Sequence, residues 1–141
     1  MNNRFQTVFT ALAEHIDANG HVNNTVWVRW MEELSVAHWD AVAPQDHRAA
    51  YAWVVTRHEI DYRGNVAEGA QVTGETIIKD GPRGARFDRY YEFREGQADG
   101  QGKVLVRAKS TWAMVDKVSA RLLRVPPEVA APFLPPEGEE G

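Results

Sequence analysis

The chain has 141 residues, 43% hydrophobic and 26% charged, a length and balance that fit one soluble globular domain. It contains no cysteine, which excludes disulfides, thiolate metal sites and cysteine nucleophiles. The net charge of −4 is uneven: residues 1–78 are acid-rich and residues 79–124 base-rich, a pattern that makes a poor general nucleic-acid binder but suits a small phosphorylated ligand on the basic part.

In chain order, Phe5 to Ala13 alternates, with Phe5, Thr7, Phe9 and Ala11 opposite Val8 and Leu12, and reads as a strand. Asp17-Ala18-Asn19-Gly20-His21-Val22-Asn23-Asn24 is a polar turn. From Thr25 an apolar helix runs until Pro44 forbids its continuation, and Asn23, Asn24 or Thr25 can cap its start. Trp27, Trp30, Met31, Leu34 and His38 share one face of this helix. Val26, Val28, Val36, Ala37 and Trp39 make much of the rest apolar, so the helix is expected to be covered on most of its circumference.

Pro44 to Ala50 reads as a polar loop. Trp53 to Tyr62 alternates as a strand, with Val54, Thr56, His58, Ile60 and Tyr62 on one face. Ala70 to Lys79 is a further strand, ended by the turn signal Asp80-Gly81-Pro82-Arg83-Gly84. Arg86 to Arg94 and Lys103 to Asp116 are two more, separated by a loose loop from Glu95 to Gly102. One short helical turn is expected after Pro126 and Pro127.

The order is strand, helix, then four sequential antiparallel strands. A five-stranded antiparallel sheet wrapped around one long central helix, an α+β arrangement, satisfies the burial needs of every element. Residues 1–134 are expected to form this single domain, and residues 135–141 a disordered tail.

Asp17, Gly20 and Val22, followed by aromatics at Trp27 and Trp30 and an acid at Glu32, resemble the hotdog-fold acyl-CoA thioesterases, in particular the 4-hydroxybenzoyl-CoA thioesterase branch. The resemblance runs ungapped through residues 17–34, and more loosely through His58 to Tyr62 and the last long strand. The run from Asp17 to Asn24 also resembles plant acyl-carrier-protein thioesterases. It departs from them after Tyr62-Arg63, where Gly64 and Asn65 replace the acid of the plant pattern.

The resemblance implies hydrolysis of an acyl-CoA to free acid and CoA, in a homodimer or homotetramer with sites at subunit boundaries. It implies that Asp17 attacks the thioester or activates water, and that the backbone N–H of Asn24 polarises the carbonyl. His21 is a candidate to orient Asp17 or water, and equally to bond the backbone.

Local sequence alone makes Asp17 the first residue of a type I turn ending at Gly20, which is compatible with catalysis. Hydrolysis without Ser, Cys or metal needs a carboxylate, as general base or as nucleophile. Glu32 and Glu33, two turns into the helix, are the alternative carboxylates, and Glu32 can instead pair with Arg29. His58 reads as a hydrogen-bonded core histidine, and Trp27 and Trp30 as core.

The arginine pairs Arg83/Arg86 and Arg121/Arg124 are candidates for the CoA phosphates. The five histidines show no metal-binding spacing, and neither metal nor cofactor is expected. No apolar run is long enough to cross a bilayer and the N-terminus lacks a signal-peptide pattern, so a cytoplasmic protein without membrane or nucleic-acid partners is expected. Two rival readings remain on the same fold: a dehydratase or isomerase of acyl thioesters, and a non-catalytic acyl-CoA-binding protein.

Overall fold

The computed structural model describes residues 2–97 and 101–136. Its long helix, α1 (Asn24–Val42), starts where the Asn23 side chain accepts from the Thr25 N–H and ends where Pro44 holds Ala43 extended. Trp27, Trp30, Met31, Leu34 and His38 are all buried, as their helical spacing requires. The sheet wraps one side of α1, and the opposite side is less covered than expected: Val36 is 53% exposed.

Five antiparallel strands make the sheet: β1 (Arg4–Thr10), β2 (Tyr51–Tyr62), β3 (Gln71–Ile77), β4 (Arg86–Glu95) and β5 (Val104–Asp116). Their spatial order is β1-β3-β4-β5-β2. β3, β4 and β5 follow one another as hairpin neighbours, but β2 pairs with β5 at the far edge and not with β3. The expected run of four consecutive neighbours is corrected to three.

Three local features differ from the expected elements, and a fourth agrees with them. β1 stops at Thr10, and Ala13–His15 form a short 3-10 turn, leaving Leu12 exposed. The segment expected as a polar loop after Pro44 is a short helix, α2 (Gln45–Ala50), in which the Arg48 N–H donates to the Pro44 carbonyl. β2 carries a bulge between Val55 and Arg57, so its inward positions change phase: Trp53 is partly buried and Val54 is exposed, whereas His58 and Ile60 are partly buried beyond the bulge. The prolines at 126 and 127 do start a short helix, α3 (Pro127–Ala130).

The core has two parts. Around the first half of α1, Trp27, Trp30 and Leu34 pack with Val72, Phe93, Leu105 and Val106, and Phe9 stacks on Trp30 at 5.0 Å between ring centroids. Beyond it, Val125, Val129 and Phe133 of the C-terminal segment close over Ile78, Phe87 and Met114. On the other sheet surface, Glu92 pairs with Arg94 and Arg107, and Asp88 pairs with Arg83. Many of the basic residues of the second half are therefore surface ion-pair partners.

Candidate active site

The polar turn is stitched to the fold on three sides. The Asp17 N–H donates to the His21 carbonyl (3.0 Å), and the Gly20 N–H to the Asp17 carbonyl (3.0 Å), the bond of the expected four-residue turn. Gly20 has φ +78°, a conformation that glycine adopts without strain. The Asn23 N–H donates to the His15 carbonyl (2.9 Å), and the Val22 N–H to the Val66 carbonyl (3.2 Å). From the other side the Asn65 side-chain amide donates to the Val22 carbonyl (3.0 Å).

His15 anchors this arrangement. It is buried, its Nδ1 accepts from the Leu12 N–H (2.9 Å), and its ring meets Trp30 edge-on. The Asp17 turn is thus tied directly to the aromatic core beneath it.

Within the turn, Asp17 Oδ1 accepts from the Asn19 N–H (2.9 Å). Oδ2 has no hydrogen-bond partner among the described residues, so one carboxylate oxygen fixes the rotamer and the other is free. The first turn of α1 contains no acidic residue to offset its partial positive charge. Its N–H groups divide: that of Thr25 goes to the Asn23 side chain and that of Val26 to the Asn23 carbonyl. The Asn24 N–H is left without a partner among the described residues, as a first-turn donor is expected to be. The Tyr62 hydroxyl donates to the Asn24 carbonyl (3.3 Å), and burial pushes that phenol's pKa up, keeping it a donor.

Asp17, His21 and Asn24 therefore belong to one clamped turn at the helix start. His21 meets Asp17 through the backbone only; its side chain is exposed and has no hydrogen bond among the described residues. Glu32 and Glu33 are exposed farther along α1, and no ion pair joins Glu32 to Arg29. His58 Nδ1 contacts the buried Ser110 hydroxyl at 2.6 Å, the hydrogen-bonded histidine that its strand pattern suggested. Of the candidate phosphate arginines, Arg83 is held by both oxygens of Asp88 (2.7 and 3.2 Å), while Arg121 and Arg124 are exposed.

The family model for the thioesterase-like superfamily matches residues 11–133. The chain belongs to that superfamily. This is the family and the enzyme class that the turn and helix suggested, and the strand order and central helix are those of the hotdog fold. Among solved structures, this thioesterase-like chain is similar to a predicted thioesterase from Bacillus stearothermophilus, with 24% identity, 91% of this chain and 92% of that one covered, and a TM-score of 0.75. A 4-hydroxybenzoyl-CoA thioesterase mutant in complex with 4-hydroxybenzoyl-CoA matches with 16% identity, 90% and 96% covered, and a TM-score of 0.77. A 1,4-dihydroxy-2-naphthoyl-CoA thioesterase from Synechocystis matches with 14% identity, 92% and 95% covered, and a TM-score of 0.75. A search of the curated proteins returned no match.

Sequence reasoning missed Tyr62, Asn65 and His15 as supports of the turn. Tyr62 and Asn65 lie about forty residues beyond the groups they bond, and no local pattern links them. His15 had only its place two residues before Asp17 to single it out.

Proposed function

We propose that this thioesterase-like chain hydrolyses an acyl-CoA to the free acid and CoA, in the cytoplasm, without metal or cofactor. The observation that carries the reading is the clamped turn: a carboxylate with one oxygen fixed and one free, beside a helix start whose Asn24 N–H has no partner. In the base route, Asp17 takes a proton from water as the hydroxide forms its bond to the thioester carbon. The oxyanion accepts from the Asn24 N–H, and its collapse breaks the C–S bond to release CoA thiolate. In the nucleophile route, Asp17 displaces CoA to form an anhydride, which water then cleaves. His21 closes the turn through its carbonyl, and its exposed side chain orients the water. Losing one oxyanion donor typically costs about 100- to 1,000-fold in rate.

We further propose a homodimer, or a tetramer built from it, joined along β2. β2 is an edge strand, and its two ends differ in role. Tyr62 touches the helix start, whereas Tyr51, Ala52 and Trp53 line a cavity beside the second half of α1. Antiparallel pairing of two β2 edges sets the Tyr62 end of one copy beside the Tyr51 end of the other. Each Asp17 turn then faces the partner's cavity, which suits a site between subunits. No helix among the described residues is long and apolar enough to cross a membrane.

A thiol-release assay over short, branched, aromatic and long acyl-CoAs tests the reading. Release of CoA with at least one of them is expected. Product formation without free thiol would point to a dehydratase or isomerase, and binding without turnover to a carrier.

A further inference from the structure

The cavity beside the second half of α1 has a volume of about 390 Å³. Its walls include Trp39, Trp53, Phe87, Trp112 and Phe133, and Arg89 from β4 also lines it. Five aromatic rings make an apolar chamber, so a guanidinium there is costly unless something offsets its charge.

Arg89 is 9% exposed, and no ion pair joins it to a carboxylate among the described residues. Its Nη1 is occupied, at 2.6 Å from His38 Nδ1 and 3.2 Å from the Thr76 hydroxyl. Its Nε and Nη2 have no acceptor among the described residues. Neither atom is fully sealed from solvent, and Arg89 lines the cavity.

That free edge is the side of the guanidinium that presents two parallel N–H groups, the geometry that fits both oxygens of a carboxylate. The nearby acids do not fill the role. Asp88 is committed to Arg83, Thr111 and Lys109, and Asp40 is exposed. Arg48 and Lys117, also in the cavity lining, add positive charge.

We infer that this cavity receives an acyl group with an apolar body and a carboxylate at the end away from the thioester, and that Arg89 binds that carboxylate through Nε and Nη2. The inference rests on the thioesterase reading and on the β2-paired dimer. His38 lies fourteen residues beyond Asn24, about 21 Å along the helix, so the cavity is remote from its own Asp17 and serves the partner's.

The test uses isosteric thioesters on the intact protein: 4-carboxybenzoyl-CoA against 4-methylbenzoyl-CoA, and adipoyl-CoA against hexanoyl-CoA. We expect kcat/KM to favour the carboxylate of each pair by about 10- to 100-fold, the worth of a charged hydrogen-bonded contact. Arg89→Lys, which keeps the charge but loses the fork, should reduce the preference, and Arg89→Met should abolish it. If neither variant folds, the wild-type ratios still decide. Equal turnover within each wild-type pair overturns the inference and leaves the thioesterase reading standing. Binding of free 4-methylbenzoate, but not of the uncharged 4-methylbenzamide, by calorimetry with no turnover of any thioester supports the carboxylate site while overturning the thioesterase reading.

Discussion

Buried His38 makes stability depend on pH in a window of its own. Its Nε2 lies 2.6 Å from the Asn2 carbonyl and its Nδ1 2.6 Å from Arg89 Nη1. The carbonyl can only accept and the guanidinium can only donate, so the ring is neutral with its proton on Nε2. A second proton on Nδ1 would face another N–H. Burial, reinforced by the Arg89 charge and partly opposed by the Asn2 carbonyl, lowers the pKa from 6.5 to about 4.

Between those values the unfolded chain binds a proton that the folded one refuses, so stability rises with pH through the window and is lost as pH falls from about 6.5 to about 4. At roughly 1.4 kcal/mol per pH unit the loss reaches about 3 kcal/mol. Urea unfolding of the wild type and of His38→Gln between pH 7 and pH 4 isolates it: the wild type should lose about 3 kcal/mol more than the variant across that range. Asp88 and Glu92, held below the usual carboxylate range, lose their contribution at lower pH and do so in both proteins. Parallel pH profiles for the two proteins would refute the reasoning.

Gly74→Ala should destabilise the fold by about 1–3 kcal/mol, seen as a melting point several degrees lower, because a Cβ there would lie 2.8 Å from Phe93 and 2.9 Å from Phe9. Both rings are wedged against the tryptophans of α1, so neither can retreat. Asn65→Ala removes the amide clamp on the Val22 carbonyl and should lower kcat by up to about 100-fold, the cost of a small misplacement, with the melting point little changed. Sedimentation at micromolar concentration should show a dimer or larger; a stable, active monomer would count against the β2 pairing.

The turn and the helix were legible in the sequence because both are local. Asp17 to Gly20 carries its own turn chemistry, and the buried stripe from Trp27 to His38 repeats at the helical period. The strands were legible for the same reason. Their order was not: β2 joins β5 through pairs about fifty residues apart, and alternation gives a strand's face but not its neighbour. The bulge after Val55 was hidden because Val54, Thr56 and His58 alternate without a break in type. Polar QDHRAA looked like loop, since six residues are too few for an apolar stripe to declare a helix. His38 and Arg89 each fell on an inward face, but nothing in the sequence joined residues fifty-one apart into one buried pair.

Asp17→Asn tests the central claim most directly. Asn keeps the side-chain oxygen that accepts from the Asn19 N–H, so the turn should persist, and only the carboxylate is lost. With the best acyl-CoA found in the thiol-release assay, kcat should fall by about 100- to 10,000-fold, with an unchanged melting point and oligomeric state. Near-normal turnover would reduce Asp17 to a turn residue and pass the catalytic role to Glu32 or Glu33.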